Sequence, residues 1–240
     1  MAAHGKLELT PRLRQLADWV GENAAFADIG TDHGYLPVWL VLNGRVSSAI
    51  ASDLRPGPLA HAQATAAEYG VSGRVQLRLG DGLRGLGPQD ADTIAIAGMG
   101  GENIALILSS APWTADGQHR LLLQPMSRSE VLREFLAESG YVILREALAE
   151  DRGTLYPVLE AVGGQMHLSP GQLYGGAALT RDPLEERYLI ERIIQLQRAV
   201  AGLNQSSFPC DREKADHLRD AITSLLAMRE EWRHDNCPGN

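Results

Sequence analysis

Between residues 25 and 162 short β-rich apolar runs alternate with stretches of helical periodicity. The runs Phe26–Gly30, Val46–Asp53, Val75–Gly80, Thr93–Ala97, His119–Gln124, Tyr141–Leu148 and Thr154–Val162 predict seven strands. Between most of them lie predicted helices over Tyr35–Asn43, Gly57–Tyr69, Glu102–Ser110 and Ser129–Ser139. Strand and helix in this order imply βαβ units and an α/β fold, a mainly parallel sheet with helices on both faces. Only a short turn around Glu150–Gly153 separates the last two strands, so the final one must run antiparallel. Ahead of the sheet, residues 10–22 predict an amphipathic helix, with Leu13, Leu16, Ala17 and Val20 on one stripe, Thr10 as cap and Pro11 in the first turn.

The pattern changes after Val162. Residues 163–182 carry Gly163, Gly164, Gly171, Gly175 and Gly176 without a period, and predict a connector. Beyond it Leu189, Ile193, Leu196, Val200 and Leu203 recur at alternating steps of four and three, and Leu218, Ile222, Leu225 and Trp232 share a second face. Two such helices, parted by Asn204–Asp211 with Pro209 inside, predict an antiparallel, coiled-coil-like hairpin. The expected organisation is a catalytic domain over 1–162, a connector over 163–182 and a helical hairpin over 183–235.

Composition narrows the class. The chain of 240 residues is 44% hydrophobic and 22% charged, enough apolar content for a real core and too much for disorder. With only Cys210 and Cys237 there is no disulfide framework, and a reducing cytoplasm is the expected home. No run of 18 apolar residues and no basic-then-apolar N-terminus occurs, which argues against a membrane span or a secretory signal. The net charge of −8 argues against a protein that coats nucleic acid non-specifically, yet leaves room for a local patch that holds one folded RNA. All but two of the 22 basic residues are arginine, the exceptions being Lys6 and Lys214; codon bias is the first explanation, and a choice of guanidinium forks for phosphate the sharper alternative.

Candidate chemistry collects at the ends of the predicted strands. The first ends in Asp28-Ile29-Gly30-Thr31-Asp32-His33-Gly34, a glycine-bearing turn into a helix where a ligand can approach the backbone. Its D-x-G-x-x-x-G spacing is not the G-x-G-x-x-G of dinucleotide binders. Asp32 stands where a diphosphate would be repelled, and where a sulfonium or ammonium group would be attracted. Asp53 ends the second strand, where a carboxylate can accept ribose hydroxyls; Asp81, followed by Gly82, ends the third, where adenine could be held. Taken singly, Asp53 and Asp81 each read first as a cap or turn acid. Three acids on three successive strand ends point instead to a ligand crevice. The fourth strand ends in Gly98-Met99-Gly100-Gly101, open backbone that suits a flat base or an ordinary turn; the fifth ends in Gln124, a base-edge contact or a polar strand cap. His33 reads as a general acid–base or as a loop histidine that fixes its own turn, and Met99 as packing before sulfur contact. No HExxH, CxxC, GxSxG or Walker sequence is present, so no metal is expected.

These motifs together, ADIGTDHGYLP, ASDLRPGPL, LGDGL, IAGMGG, LLLQP and GYVILREALAEDRGTLY, resemble the bacterial tRNA adenine N1-methyltransferase family that modifies adenine 22. The resemblance spans essentially the whole chain. It implies a Rossmann-like, class I S-adenosylmethionine-dependent methyltransferase fold with a coiled-coil-like C-terminal part, and tRNA as substrate. By that resemblance Asp28, Gly30, Thr31 and Gly34 belong to the cofactor loop, Asp53 and Leu54 to the ribose clamp, and Asp81 and Gly82 to the adenine seat. Gly98, Met99 and Gly100 would border the transferred methyl, with Arg12, Tyr35, Gly101 and Gln124 toward the substrate. Asp32 and His33 are the catalytic candidates, Asp32 for the positive charge that develops on the product. Adenine N1 has a lone pair and no proton, so alignment rather than a general base would carry the rate. An N1 edge engaged in the folded tRNA would have to be extruded, and Tyr35 and Trp39 are the aromatic residues near the loop. Where the family commonly reads Gln-Pro-Asn, this chain has Gln124-Pro125-Met126.

Rival readings stay open from residues alone. A methyltransferase acting on a small molecule or another RNA would share the cofactor half. A nicotinamide oxidoreductase would need a dinucleotide loop, and a coiled-coil adaptor would leave the strand-end acids idle. In the hairpin, Arg187 with Arg198, and Arg181 with Arg192, share faces that suit phosphate contacts or plain solvation. The assembly is expected to be a monomer or a homodimer.

Overall fold

The computed structural model describes residues 6–179, 182–205 and 208–236. Cys237, and Arg181 of the predicted Arg181–Arg192 pair, lie outside them. The chain divides into two compact units, one from residues 1–144 and 149–166, the other from 145–148 and 167–240.

In the first unit the elements follow as α1 (Pro11–Trp19), β1 (Phe26–Ile29), α2 (Tyr35–Leu42), β2 (Ala49–Asp53), α3 (Pro56–Glu68), β3 (Val75–Leu79), β4 (Thr93–Gly100), α4 (Gly101–Ser109), β5 (Arg120–Ser127), α5 (Ser129–Glu138), β6 (Tyr141–Asp151) and β7 (Thr154–Gly163). Residues 145–148 of β6 count with the second unit. The strands form one sheet in the order β3-β2-β1-β4-β5-β7-β6. β1 pairs in parallel with both β2 and β4, so the strand order reverses beside it, the point where open α/β sheets leave a crevice. β7 pairs antiparallel with β5, inserted between β5 and β6. Arg152 and Gly153 both take positive φ (51° and 80°), as a two-residue primed hairpin turn requires.

Burial explains the strands. All four residues of β1 and all five of β2 are buried, which suits apolar runs covered on both faces by helices. The edge strand β3 is only partly covered. Several predicted bounds shift. β2 starts at Ala49 rather than Val46, because Ser47 and Ser48 are exposed. β4 continues past Ala97 to Gly100 through register shifts against β5 at Ala97, Met99 and Gly100. α1 stops at Trp19, and Thr10 occupies its N-cap position without a side-chain cap bond; its carbonyl accepts the Arg14 N–H at 2.8 Å.

The second unit holds α6 (Pro170–Gly175), α7 (Glu185–Leu203) and α8 (Pro209–Asn236). The aperiodic stretch expected to be linker thus contains a helix. Ser169 accepts the Gln172 N–H while the Gln172 side chain accepts the Ser169 N–H, a reciprocal cap. Six residues are too few to print a period, and its glycines serve close packing: a Cβ at Gly171 would lie 2.3 Å from Ser224 Oγ, and one at Gly175 2.6 Å from Leu225. α7 and α8 run antiparallel, since Glu186 near the start of α7 pairs with Arg229 (3.1 Å) and Arg233 (2.6 Å) late in α8, and Asn204 with Arg219. Leu189, Ile193, Leu196, Ala221 and Leu225 form their buried seam. Val200, Leu203 and Trp232, predicted on the same stripes, are only partly buried.

Candidate active site

The carboxyl ends of β1, β2 and β4 border a cleft of about 500 Å³. Asp28, Gly30, Thr31, Asp32, His33, Gly34 and Tyr35 line it from the β1–α2 turn. Asp53 and Arg55 line it from β2, Gly98 and Met99 from β4, and Arg12 from α1. Leu54, Asp81, Gly82, Gly100, Gly101 and Gln124 do not.

The turn after β1 is built by two close approaches. Gly30 has φ +77° and stands where a Cβ would meet the Met99 methyl at 2.0 Å. Gly34, φ +67°, begins α2 so close to α3 that a Cβ would lie 2.9 Å from that of Ala62. The N–H groups of Gly30 and Thr31 both donate to the Ser52 carbonyl (2.8 and 2.9 Å), which ties the turn to β2.

Asp28 is the most perturbed group in the cleft. It is 7% exposed, and burial pushes its carboxyl up to about 6, with the Asp53 charge adding to the rise. The Thr31 side chain draws that value partway back, yet the buried Thr31 hydroxyl makes no well-formed hydrogen bond. Asp53 is 8% exposed; its Oδ1 accepts the Arg55 N–H at 2.8 Å, which also secures the entry to α3. Two buried acids and an orphaned hydroxyl on one wall fit a ligand that brings both a cationic group and hydroxyl donors.

Above them three rings stack. His33 lies against Tyr35 (5.2 Å between centroids, 10°) and against His61 of α3 (4.8 Å, 7°), with Asp32 Oδ2 3.4 Å from His33 Nε2. Each of Asp32, His33 and His61 offers a ligand atom within 4.8 Å of the others. The two imidazoles are stacked in nearly parallel planes, however, so no single point lies in both ring planes, where an ion would have to sit. As arranged, the two imidazoles belong to a ring stack with Tyr35 and do not converge on one ion.

Arg12 is pinned from three sides. Its guanidinium donates to Asp151 Oδ2 (3.0 Å), Gln124 Oε1 (3.1 Å) and the Met126 sulfur (2.9 Å), and lies 5.1 Å over the Tyr156 ring. Gln124, expected at a base edge, is wholly buried instead: its Oε1 also accepts the Gly98 N–H (3.2 Å) and its Nε2 donates to the Pro125 carbonyl. Its carboxamide is committed to holding Arg12 and the β4 turn. Gly101, expected to leave open backbone toward the substrate, is also differently employed, because a Cβ there would lie 2.2 Å from the Arg128 carbonyl. Gly98, at φ +76°, is the open one, with nothing within 4 Å. Asp81 turns outward and pairs with Arg84 at 2.8 Å, Gly82 packs against Ile107 of α4, and the Leu54 side chain is exposed.

Sequence reading missed His61, Asp151 and Tyr156. His61 lies in the alanine-rich α3, where its sequence position gives no sign that it faces the β1–α2 turn. Asp151 and Tyr156 flank the β6–β7 turn, whose place beside the site follows only from the antiparallel insertion.

A seven-stranded sheet in this order, with its sole described antiparallel insertion before the last position and buried acids at the ends of β1 and β2, defines a class I, Rossmann-like methyltransferase fold. A family model described as a methyltransferase domain matches residues 9–159. The tRNA (adenine(22)-N(1))-methyltransferase of Bacillus subtilis strain 168 is 38% identical over 177 residues, 71% of this chain and 74% of that one. The solved structure of the B. subtilis tRNA methyltransferase TrmK aligns with a TM-score of 0.82 at 31% identity, covering 93% of this chain and 100% of that one. A Streptococcus pneumoniae relative solved in complex with S-adenosyl-L-methionine aligns at 0.78 and 32% identity, covering 91% and 100%. This chain belongs to the bacterial tRNA (adenine(22)-N(1))-methyltransferase family.

Proposed function

We propose that the chain transfers the methyl group of S-adenosylmethionine to N1 of adenine 22 in tRNA, working in the cytoplasm as a monomer or homodimer. One observation carries the reading: Asp28 and Asp53, both over nine-tenths buried, face one cleft at the point where the strand order reverses. The cofactor supplies an electrophilic methyl on a cationic sulfur. Asp53 accepts its ribose hydroxyls, and ionised Asp28, with the turn at Gly30, Thr31 and Gly34, holds the cationic end. Gly98 leaves room beside the methyl, and Met99, folded over Gly30, closes that side. Asp81, Gly82 and Leu54 reach the cofactor only if their loops turn inward, so they rank behind Asp28 and Asp53.

For the acceptor, N1 attacks with its own lone pair and the residues need only align it. Asp32 is exposed at the mouth and offers a carboxylate to the positive charge that the product base acquires. His33 is held between Tyr35 and His61, which fits a stacking wall for an extruded base better than proton transfer. Arg12, held by Asp151 and Gln124, presents a fixed cation beside it. Incubation of the full chain with unmodified tRNA and labelled methyl donor, followed by mapping of methyladenine, tests the assignment. Label at N1 of adenine 22 supports it; label confined to another position or to small molecules overturns it.

A further inference from the structure

The second unit contains a cavity of about 410 Å³ between α6, the segment 176–179 and one face of α8. Glu185, the first residue of α7, lines it. The residue is 8% exposed, and its carboxyl, which borders the cavity, has no hydrogen-bond or ion-pair partner among the described residues. A buried carboxyl without a partner is costly, and native structures rarely keep one without use.

The surroundings are acidic. Asp182 and Glu146 act on Glu185 as like charges, and both are already satisfied in their ionised forms. Asp182 accepts the N–H groups of Leu148 and Leu184, each at 2.8 Å, and Glu146 accepts that of Ala177 at 2.7 Å. Glu231 of α8 lines the same cavity. Burial, with those two neighbouring charges, pushes Glu185 up to about 7. A cation in the cavity would relieve all of this at once.

The kind of cation follows from the walls. These carboxylates do not bring three ligand atoms together at metal spacing; among the described residues Asp32, His33 and His61 alone do so. The rest of the lining sets the apolar side chains of Leu179, Ala227 and Met228 among the polar side chains of Ser169, Gln172 and Ser224. An alkyl chain suits the first three, and an ammonium group suits Glu185 and Ser224. The second acid on the wall, Glu231, calls for a second ammonium.

We propose that this cavity binds a linear aliphatic diamine, one ammonium on Glu185, the methylenes along Met228 and Leu179, and the other ammonium toward Glu231. The site is separate from the methyl-transfer reading and stands or falls without it.

Calorimetric titration of the full chain with 1,4-diaminobutane, n-butylamine and magnesium chloride, at pH 6 and pH 8, tests the proposal. The diamine is expected to bind at pH 8 at least about tenfold more tightly than the monoamine, the scale of one charge-assisted hydrogen bond. The cation requires ionised Glu185, so affinity falls at pH 6, by at most about tenfold per pH unit below its titration, with protons released on binding. Glu185→Gln is expected to lose diamine affinity by about tenfold or more while melting at or above the parent at pH 8, since the amide has no buried charge to keep. Glu231→Gln, at an exposed position, is expected to bring the diamine down to the level of the monoamine. No heat from the diamine at millimolar concentration, unchanged affinity in Glu185→Gln, or displacement of the diamine by equimolar magnesium would each overturn the proposal.

Discussion

The two edges of the sheet treat their acids in opposite ways. At the amino edge Glu160, Asp92 and Asp116 each have a partner. Glu160, 2% exposed, is bound by the Arg120 guanidinium, whose Nε donates at 2.8 Å. Asp92 accepts the Ala25 N–H at 3.2 Å and the Thr93 hydroxyl at 2.8 Å, and Asp116 meets His119 Nδ1 at 2.8 Å and is held below its ordinary range by that bond. At the carboxyl edge Asp28 is buried beside a second acid and driven the other way, to about 6. Charges that serve the fold are neutralised within it; charges that serve a ligand are left waiting for it. Between Glu160 and Asp28, both buried, the difference is one of pairing; Asp92 and Asp116 are exposed as well as partnered.

The comparison breaks first at the amino edge. Arg120→Ala removes the guanidinium bound to buried Glu160, and loss of that charge-assisted pair is expected to lower stability by about 3 kcal/mol, read by denaturant unfolding. Cofactor affinity of the folded variant should not change; a matching loss of binding would erase the distinction between the edges. Asp53→Ala should do the converse. Two charge-assisted hydrogen bonds to ribose hydroxyls amount to about 3 kcal/mol, roughly a hundredfold in the dissociation constant for S-adenosylmethionine by calorimetry. The fold loses the bond to the Arg55 N–H and a long, exposed ion pair with the Arg55 guanidinium (3.7 Å), about 1 kcal/mol in all. Equal affinity in the variant would remove Asp53 from the cleft's function.

Asp28 sharpens the contrast, because there stability and binding should move in opposite directions. Its carboxyl titrates near 6 in the fold against an ordinary 3.8, so the folded state holds its proton more tightly than the unfolded chain. The resulting contribution to stability is fully present below about pH 4 and is lost as pH rises through 6. At pH 8 Asp28→Asn is therefore expected to stabilise the free protein by about 2 kcal/mol, and at pH 4 to change it little. Cofactor affinity should rise from pH 5 to pH 7 in the parent, as the cationic ligand meets an increasingly ionised Asp28, and that rise should vanish in the variant. A stability gain that is the same at both pH values would refute the titration.

Much of this edge was legible in the text of the chain. Apolar runs that turn polar at Asp28, one residue before the end of β1, and at Asp53, the last of β2, announce buried strands with acids at their carboxyl ends, and a parallel sheet delivers such ends to one side. Asp81 fails the same logic because β3 is an edge strand, half uncovered, and its following turn is free to aim the acid at Arg84. Gln124 could be placed at a strand end, but whether its amide faces a ligand or the interior depends on Arg12, which is 112 residues away. The β6–β7 hairpin hides Asp151 and Tyr156 for the same reason: its turn is local, its neighbour is not. α6 was invisible because a six-residue helix capped by Ser169 and Gln172 has no period to read.

The smallest expected effect concerns the departure from the family's usual Gln-Pro-Asn. Met126 is 37% exposed, and its sulfur accepts from Arg12 at 2.9 Å while Asp151 and Gln124 hold the same guanidinium. A thioether is a weak acceptor, so it shapes the wall without fixing Arg12. Met126→Asn replaces it with a shorter, stronger acceptor and removes apolar area that is already partly in water. Stability is expected to change by less than about 1 kcal/mol. Arg12 keeps its two other partners, so cofactor affinity stays within about threefold, and the effect falls on the KM for tRNA rather than on the rate at saturation. A large drop in kcat with KM unchanged would mean that Met126 touches the reacting base, and the carboxyl edge would then owe part of its chemistry to a side chain without any charge.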